Sequence, residues 1–382
     1  MQRNRKTELR RFGGIDMKKV TEKVKRHRSR GYRGNVRCLW MIFLTLFTLP
    51  TMAQEVTMGK VLKKMVKDKQ DSTVENIVES WRLYISTHSK AQESTAEMWV
   101  NRDTSKFLAS YNGKIEKNYD HEIFRIDSFG NGEYSFSVKA VYRGKTTRKK
   151  YGLRSINYYV YAIETKDGFK FMAPLDYGVY KNKIIRKSCG LVDFYFPSDL
   201  NYSETDLKQS SEFIESLVTT FKLENIAQIN YVVAEHHTYA YAKNLAGIMM
   251  YDDKRSSGVN AEFVYPNTIL AGVPCHKHEL THAVFYQHYP NAHRLVHEGL
   301  AAYMDPDSAL KYQIEEHLNK IQKIKDVNDL SALLQTDTQF YYTLGRYIIK
   351  TIFERDGSAG VLELLKLETD EEVYELFTKV FH

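Results

Sequence analysis

The sequence contains little cysteine and little proline. It has 3 cysteines and 7 prolines in 382 residues, and it has no tract of low complexity. Together with a hydrophobic content of 43%, this composition is typical of a folded, soluble protein. Only Cys189 and Cys275 follow the first 53 residues. Two cysteines in so large a chain exclude a disulfide framework, and whether the two pair with each other stays open.

The chain lacks an excess of positive charge outside its N-terminus. Its formal net charge is +8, but residues 1–53 alone hold 14 Lys and Arg against 3 Asp and Glu. The remaining residues carry 41 basic and 44 acidic side chains. Because the basic balance belongs to one end of the chain, the sequence gives no support for a nucleic-acid partner.

A hydrophobic run long enough to cross a bilayer comfortably is also missing. The longest apolar stretch, Cys38–Pro50, has thirteen residues, which suits the core of a signal peptide. The small residues Thr51 and Ala53 stand at the positions expected before a cut at Gln54. We therefore expect residues 1–53 to be a targeting segment and the protein to be exported, to the periplasm, the cell surface or the medium. An uncleaved segment that anchors the chain in a membrane is the alternative.

Residues 54–182 are expected to form an accessory α+β domain. A helical pattern over residues 59–91 gives way to alternating apolar and polar residues. This alternation surrounds two turn sequences, Gly130–Gly132 and Lys166–Gly168, which indicate hairpins of an antiparallel sheet. The element order resembles the nuclear transport factor 2-like fold, with another small α+β domain as the alternative. The sequence does not indicate a partner for this domain.

Residues 183–382 are expected to form a second α+β domain, with its sheet first and its helices afterwards. Alternating βαβ units would give a different order. The predicted elements are a strand at Leu191–Pro197, a helix at Ser203–Leu223, strands at Ile229–His236 and Val259–Val273, and helices beyond.

Six of the 13 histidines fall within residues 276–303, and two of them belong to an H-E-x-x-H pattern. On a helix, His278 and His282 lie one turn apart on nearly the same face, so both imidazoles can reach one metal ion. Glu279 lies about 100° further round, where its carboxylate can hold a water and take its proton. The alternative needs no metal: two helix histidines and a glutamate with structural roles.

Two residues compete as the third ligand. His288 stands six residues after His282, as in metzincins, but that pattern needs glycine where this chain has Phe285. If the helix continues, His288 points away from His282 and cannot share its ion. The other candidate, Glu298, lies on a second helix after the break at Tyr289–Asn291. Its carboxylate can return to the histidine face.

The two segments "HELTH" and "VHEGLAAY" resemble the peptidase MA-like gluzincins, including the zinc aminopeptidases. The resemblance implies a gluzincin-type metallopeptidase domain, with the edge strand of a sheet over the zinc helix. It also implies a Zn²⁺ ion on His278, His282 and Glu298, with Glu279 as the general base. Gly299 would allow the second helix to pack closely.

The segment "FYYTLGRYIIKTIFERDG", residues 340–357, resembles a later helix of the aminopeptidases. Its Y-x-x-G pattern falls on Tyr342 and Gly345. The resemblance implies that the Tyr342 hydroxyl stabilises the oxyanion of the reaction. Tyr341 and Tyr347 are alternatives for this role, and a packed, structural Tyr342 is another.

The chain also departs from these families. The G-x-M-E-N motif of the aminopeptidases is absent, and residues 258–262 read "GVNAE" instead. Aminopeptidase activity is therefore in doubt, although an edge strand here could still pair with an extended peptide. Ala302 occupies the position where thermolysin-like enzymes have aspartate, so that subgroup does not fit either.

These patterns predict an exported zinc peptidase that acts on a peptide or protein. The alternative is a non-catalytic binding protein on an inherited gluzincin fold, whose N-terminal domain recruits a surface partner or glycan. The other residues of the region are expected to be bystanders: His276, His293 at a helix start on the surface, a structural His297, Cys275, and the strand-end pair His236 and His237.

Overall fold

The computed structural model describes residues 56–69, 72–88, 96–100, 119–142, 155–234, 245–249, 261–264, 267–305 and 317–381. The described chain is a mixed α and β structure with two mixed sheets, which agrees with the predicted α+β class. None of its helices combines the length and the apolar character that a membrane span requires.

Eleven strands lie in the described residues. In chain order they are β1 (Val56–Met58), β2 (Tyr119–Gly130), β3 (Glu133–Tyr142), β4 (Ser155–Thr165), β5 (Gly168–Met172), β6 (Ile184–Cys189), β7 (Val192–Pro197), β8 (Ile229–Val233), β9 (Ile248–Met249), β10 (Ala261–Val264) and β11 (Thr268–Ala271).

Helices precede, separate and follow these strands along the chain. They are α1 (Lys60–Lys69), α2 (Ser72–His88), α3 (Pro174–Tyr180), α4 (Glu204–Phe221), α5 (Lys277–Phe285), α6 (Arg294–Met304), α7 (Leu318–Ile321), α8 (Val327–Thr336), α9 (Thr338–Leu364) and α10 (Asp370–Phe381). A short 3-10 turn spans Ala96–Met98.

The first sheet has the strand order β1-β2-β3-β4-β5, and β9 also pairs with β4. The predicted hairpins are present, because β2 to β5 pair antiparallel in sequence. Gly130, Asn131 and Gly132 form the first turn with positive φ angles of 82°, 53° and 74°, which glycine and asparagine tolerate best. β1 pairs parallel with β2, so the sheet is mixed and not purely antiparallel as predicted.

Helix α2 lies against this sheet through an aromatic core. Trp81 is fully buried, and its ring lies 4.9 Å from that of Phe171 and 5.1 Å from that of Phe136, both edge-on. Edge-to-face contacts of this kind suit the ring quadrupoles, and a buried tryptophan of this size contributes about 3–5 kcal/mol relative to alanine. The 3.6-residue spacing that predicted this helix is thus the spacing of its buried face.

The second sheet has the strand order β10-β11-β8-β7-β6. β7, β8 and β11 pair parallel with one another, whereas the two outer pairs are antiparallel. Among the described residues, strand β10 is therefore an edge strand of this sheet. The predicted strand at Leu191–Pro197 and the predicted helix at Ser203–Leu223 correspond to β7 and α4 within two residues.

The prediction of one strand over Val259–Val273 was wrong. The segment forms two antiparallel strands, β10 and β11, in which Val264 is opposite Thr268. A proline and an asparagine, Pro266 and Asn267, stand between the two strands. These residues favour turns over continued strand, and this signal was present in the sequence.

The described residues form two compact units, and both sheets belong to the same one. That unit takes residues up to Glu212 and Ala227–Ala283, and the other takes Phe213–Ile226 and the chain from Val284 onward. The predicted division between residues 182 and 183 does not coincide with the boundaries of these units, and β9, which follows it in the chain, pairs with β4 of the first sheet. One buried cluster also includes residues of both sheets. As a division into domains it stays a prediction.

Two other expectations concern the N-terminus and the cysteines. The targeting segment, residues 1–53, lies outside the described residues and stays a prediction. Cys189 and Cys275 are not joined in a disulfide, and both are half-buried. The open question of their pairing is thereby answered for this structure.

Candidate metal centre

Helix α5 carries the H-E-x-x-H pattern, and its start is fixed by a buried tyrosine of β8. The Tyr231 hydroxyl donates to the carbonyl of Val273 and accepts the N–H of His276, both at 2.9 Å. Burial raises the pKa of this phenol well above its usual value, so the hydroxyl keeps its proton. Leu280 and Ala283 are fully buried and hold one face of the helix. The first turn of α5 is thereby set against the sheet.

His278 and His282 lie on the same face of α5, as predicted. Both are buried, with 9% and 6% of their surface exposed. Their Nε2 atoms are 3.2 Å apart, and the ring planes are nearly perpendicular. Two imidazoles that direct the same nitrogen toward one point can share a cation at that point.

Glu279 is held by the edge strand β10. Its Oε2 accepts the backbone N–H of Phe263 at 2.8 Å. This bond fixes one oxygen of the carboxylate and lies outside the pairing of β10 with β11. Glu279 therefore joins helix α5 to strand β10.

The carboxylate of Glu262, on β10, lies near Glu279. Burial and then the charge of Glu279 raise the pKa of Glu262 to about 7 from an ordinary value of 4.5. Near neutral pH, Glu262 is thus protonated in a large share of molecules. Glu262 is the last residue of the segment 258–262, "GVNAE", and was not predicted to belong to the site.

Helix α6 begins at a histidine that the sequence analysis had placed on the surface. His293 caps the helix, since its Nδ1 accepts the N–H of Leu295 at 3.1 Å. Its Nε2 then carries the proton and donates to Asp370 at 2.8 Å. Only 10% of the His293 side chain is exposed. The helix start was predicted correctly, but the surface position was wrong, because Asp370 is 77 residues away in sequence.

Asp370 in turn is held in its ionised form. Burial would raise the pKa of this carboxyl, but hydrogen bonds from Ser331 and His293 outweigh burial and lower the pKa below its usual value. The backbone N–H of His293 also donates to the carbonyl of Leu367 at 2.6 Å. These bonds fix the start of the helix that carries Glu298 to the turn before α10.

The same helix crosses α9 in very close contact. A Cβ on Gly299 would lie 2.3 Å from the carbonyl carbon of Gly345, so the two backbones touch. Arg294, at the start of α6, lies over Tyr341, and Tyr303, near its end, lies 5.5 Å from Phe353, which is later in α9. The two helices therefore run in the same chain direction. The expectation that Gly299 permits close packing is confirmed, and the partner is the glycine of the Y-x-x-G pattern.

His278, His282 and Glu298 form a group that could hold a metal ion. Each offers one ligand atom, and these atoms lie within 4.8 Å of one another. Two nitrogens on a tetrahedral zinc at about 2.0–2.1 Å would be roughly 3.3–3.4 Å apart. The observed distance of 3.2 Å between the Nε2 atoms of His278 and His282 is close to this nitrogen–nitrogen distance. Two imidazoles and a carboxylate are also a donor set that suits zinc, with one position left open. The residues therefore fit the expected ion.

Arg294 adjoins Glu298 of this group. Its Nε donates to Oε1 of Glu298 at 3.3 Å, and its guanidinium lies 4.8 Å from the ring centre of Tyr341. Burial alone would lower the pKa of Arg294, but Glu298 and the phenols of Tyr341 and Tyr342 raise it overall. This arginine was not singled out from the sequence, although its spacing of four residues from Glu298 places both on one helix face.

Helix α9 carries the three tyrosines that are candidates for the oxyanion role. Tyr342 is half-buried on α9, one turn before the crossing at Gly345, and it interacts electrostatically with Arg294. Tyr341 lies beneath Arg294, and Tyr347 stacks on Phe381 at 5.3 Å. Tyr341 and Tyr342 thus share the neighbourhood of Arg294. The role of Tyr342 stays a prediction.

The remaining histidines of the segment are not members of the metal group. Helix α5 ends at Phe285, and His288 follows in a turn. The Nε2 of His297 donates to the carbonyl oxygen of Tyr289 at 2.8 Å, and the ring of His297 stacks on that of Tyr286 at 3.8 Å. His276 and Cys275 precede the helix, and neither belongs to the group. The pair at 236–237 lies outside the described residues.

No family model matches the sequence, and no curated protein matches it either. What is established of the site is therefore its donor set and its geometry.

Proposed function

We propose that the protein is an exported zinc-dependent peptidase of the gluzincin type, which hydrolyses peptide bonds in a peptide or protein. The observation that carries the proposal is the group of His278, His282 and Glu298, with one ligand atom each within 4.8 Å of the others. Glu279, the residue after the first ligand, supplies the second chemical function. The resemblance of the same residues to the gluzincin motifs supports the choice of metal and reaction.

The proposed roles of the side chains rest on the metal group and on the resemblance to the gluzincin motifs. His278, His282 and Glu298 hold the ion, and zinc, when bound, supplies Lewis acidity that makes water nucleophilic near neutral pH. Glu279 has one oxygen engaged by the N–H of Phe263. Its other oxygen takes the proton of the attacking water and passes it to the leaving amine. The hydroxyl of Tyr342 donates a hydrogen bond to the developing oxyanion.

Strand β10 is the proposed place for the substrate. An extended peptide can add to the edge of a sheet through main-chain hydrogen bonds. The N–H of Phe263 is bonded to Glu279, so a bound segment would use other main-chain groups of the strand. Such pairing binds the main chain of the peptide and by itself gives no preference for particular side chains.

Two measurements test the proposal. The full-length chain, purified without chelators, should hold one equivalent of zinc and hydrolyse an unstructured protein such as casein. Glu279→Gln should hold the same zinc and lose turnover by a factor of about 10² or more, because the general base is gone. Protein that binds no zinc would refute the proposal. Equal turnover by the wild type and Glu279→Gln would refute it too.

A further inference from the structure

We propose that Arg294 binds a carboxylate group of the substrate beside the metal group. The inference rests on the proposed function and specifies its substrate class: peptides that present either a C-terminal carboxylate or an acidic side chain next to the cleaved bond. It concerns a side chain that is neither a member of the metal group nor the proposed general base.

The guanidinium of Arg294 is fixed in place while much of it stays accessible. It lies over the ring of Tyr341, and its Nε donates to Glu298. The side chain is nevertheless 57% exposed. Within the described residues, Glu298 is its only hydrogen-bond partner, and that bond uses Nε alone. The two Nη groups therefore remain for a ligand.

The geometry of those donors suits a carboxylate. The Nη groups of an arginine form a planar fork that can bind both oxygens of a carboxylate at once. The position over the Tyr341 ring and the bond to Glu298 restrain the side chain, so less side-chain entropy remains to be lost on binding. A lysine at this position would offer a point charge without this orientation.

The charge balance of the site favours an anion. Without a cation, the carboxylate of Glu298 neutralises Arg294. A divalent ion on two neutral imidazoles and the same carboxylate leaves the ligand group with a net positive charge, to which Arg294 adds. A substrate carboxylate next to Arg294 would offset this excess, and its placement would bring an adjoining peptide bond toward the ion.

A different role for Arg294 is to orient Glu298 as a metal ligand. The two roles differ in what is lost when the guanidinium is removed. If Arg294 only positions Glu298, its loss weakens zinc binding and affects all substrates alike. If it binds a carboxylate, zinc stays bound, and the preference for acidic ligands disappears.

The test measures binding without turnover. The full-length chain with Glu279→Gln, loaded with zinc, is titrated in a calorimeter with N-acetyl-trialanine as the free acid and as the C-terminal amide. We expect the acid to bind about tenfold more tightly or better. Adding Arg294→Gln should bring the ratio close to one with zinc retained, and Arg294→Lys should give an intermediate ratio. Arg125→Gln removes an arginine of an exposed ion pair on β2 and serves as the matched control.

A second pair of ligands identifies the source of the carboxylate. Amidated peptides with an aspartyl or an asparaginyl residue in the last position are compared in the same way. A preference for acid over amide that depends on Arg294 indicates the C-terminal carboxylate. A preference for aspartyl over asparaginyl that depends on Arg294 indicates an acidic side chain.

Several outcomes would overturn the inference. Equal binding of acid and amide with Arg294 present, in both the zinc-loaded and the zinc-free protein, is one. An unchanged ratio in Arg294→Gln is another. Loss of zinc in that variant is a third, because it would make Arg294 a positioning residue. An acid preference that needs Arg294 in a protein that hydrolyses no peptide would retain this inference and reject the proposed function.

Discussion

Gly299 and Gly345 touch backbone to backbone where helices α6 and α9 cross. A Cβ on either glycine would come within 2.4 Å of main-chain atoms of the other helix. Neither helix can yield locally, because the contact is with backbone and not with a flexible side chain. The position of Glu298, the residue before Gly299, therefore depends on the absence of two side chains.

The first prediction tests this contact with Gly299→Ala. In a helix with free space, alanine would stabilise by about 1 kcal/mol relative to glycine. Here the added methyl must separate α6 from α9, so we expect the free energy of unfolding to fall by roughly 1–3 kcal/mol. Zinc affinity should fall with it, because Glu298 moves with its helix. Thermal unfolding and zinc titration measure both, and a stabilised variant with normal zinc binding would contradict the close contact.

The second prediction concerns the buried hydroxyl of Tyr231. Tyr231→Phe keeps the ring but leaves the His276 N–H and the Val273 carbonyl without their partner. We expect a loss of roughly 1–3 kcal/mol in the free energy of unfolding, measured by denaturant titration.

Tyr134→Phe is the matched control for this change. Within the described residues, the Tyr134 hydroxyl has no hydrogen bond, and its ring lies 5.7 Å from that of Phe169. The control should therefore be close to neutral. Equal effects of the two substitutions would show that the Tyr231 hydroxyl does not stabilise the start of α5.

The third prediction is a pH dependence that comes from Glu262. Its pKa is about 7 in the folded protein against an ordinary 4.5, so between these values the folded state binds more protons than the unfolded state. Stability from this group is present below pH 4.5 and is lost as the pH rises through 7. Glu262→Gln should remove this loss, which is at most about 3 kcal/mol.

The measurement compares unfolding free energies of the wild type and Glu262→Gln, both free of metal, from pH 4.5 to 8. The difference should change in favour of the variant as the pH rises. Curves that run parallel over the whole range would mean that Glu262 titrates at its ordinary value.

The fourth prediction separates the tyrosines of α9. If Tyr342 donates to the oxyanion, Tyr342→Phe should lower kcat by about 10²-fold and leave zinc content unchanged. Tyr347→Phe is the control, because its ring stacks on Phe381 and packing of that ring is retained. A normal kcat in Tyr342→Phe together with a loss in Tyr341→Phe would transfer the role to Tyr341.

Local sequence signals predicted much of the secondary structure. The hairpin turn at Gly130–Gly132 is specified by residues that accept positive φ, and α4 is specified by its own apolar spacing. The prediction of one strand over residues 259–273 was wrong because Pro266 and Asn267 favour a turn, whereas the apolar residues around them favour a strand. Strand β1 and its parallel pairing were not predicted, because the partner strand begins more than sixty residues later.

The sequence by itself determined the donor pair on α5. Two histidines four residues apart must share a face of any α-helix, and Glu279 must lie beside them, because the helix period fixes these directions. A break between helices at Tyr289–Asn291 was likewise readable from the chain.

Only the tertiary structure decided what surrounds this pair. The approach of Glu298 depends on the cap at His293 and on the crossing at Gly345. The environment of Glu279 depends on Phe263 of β10. Each of these contacts joins residues that are distant in sequence, so their geometry follows from packing across the whole fold and not from any local period. For the same reason the position of Arg294 could not be predicted, because Tyr341, over whose ring it lies, belongs to another helix.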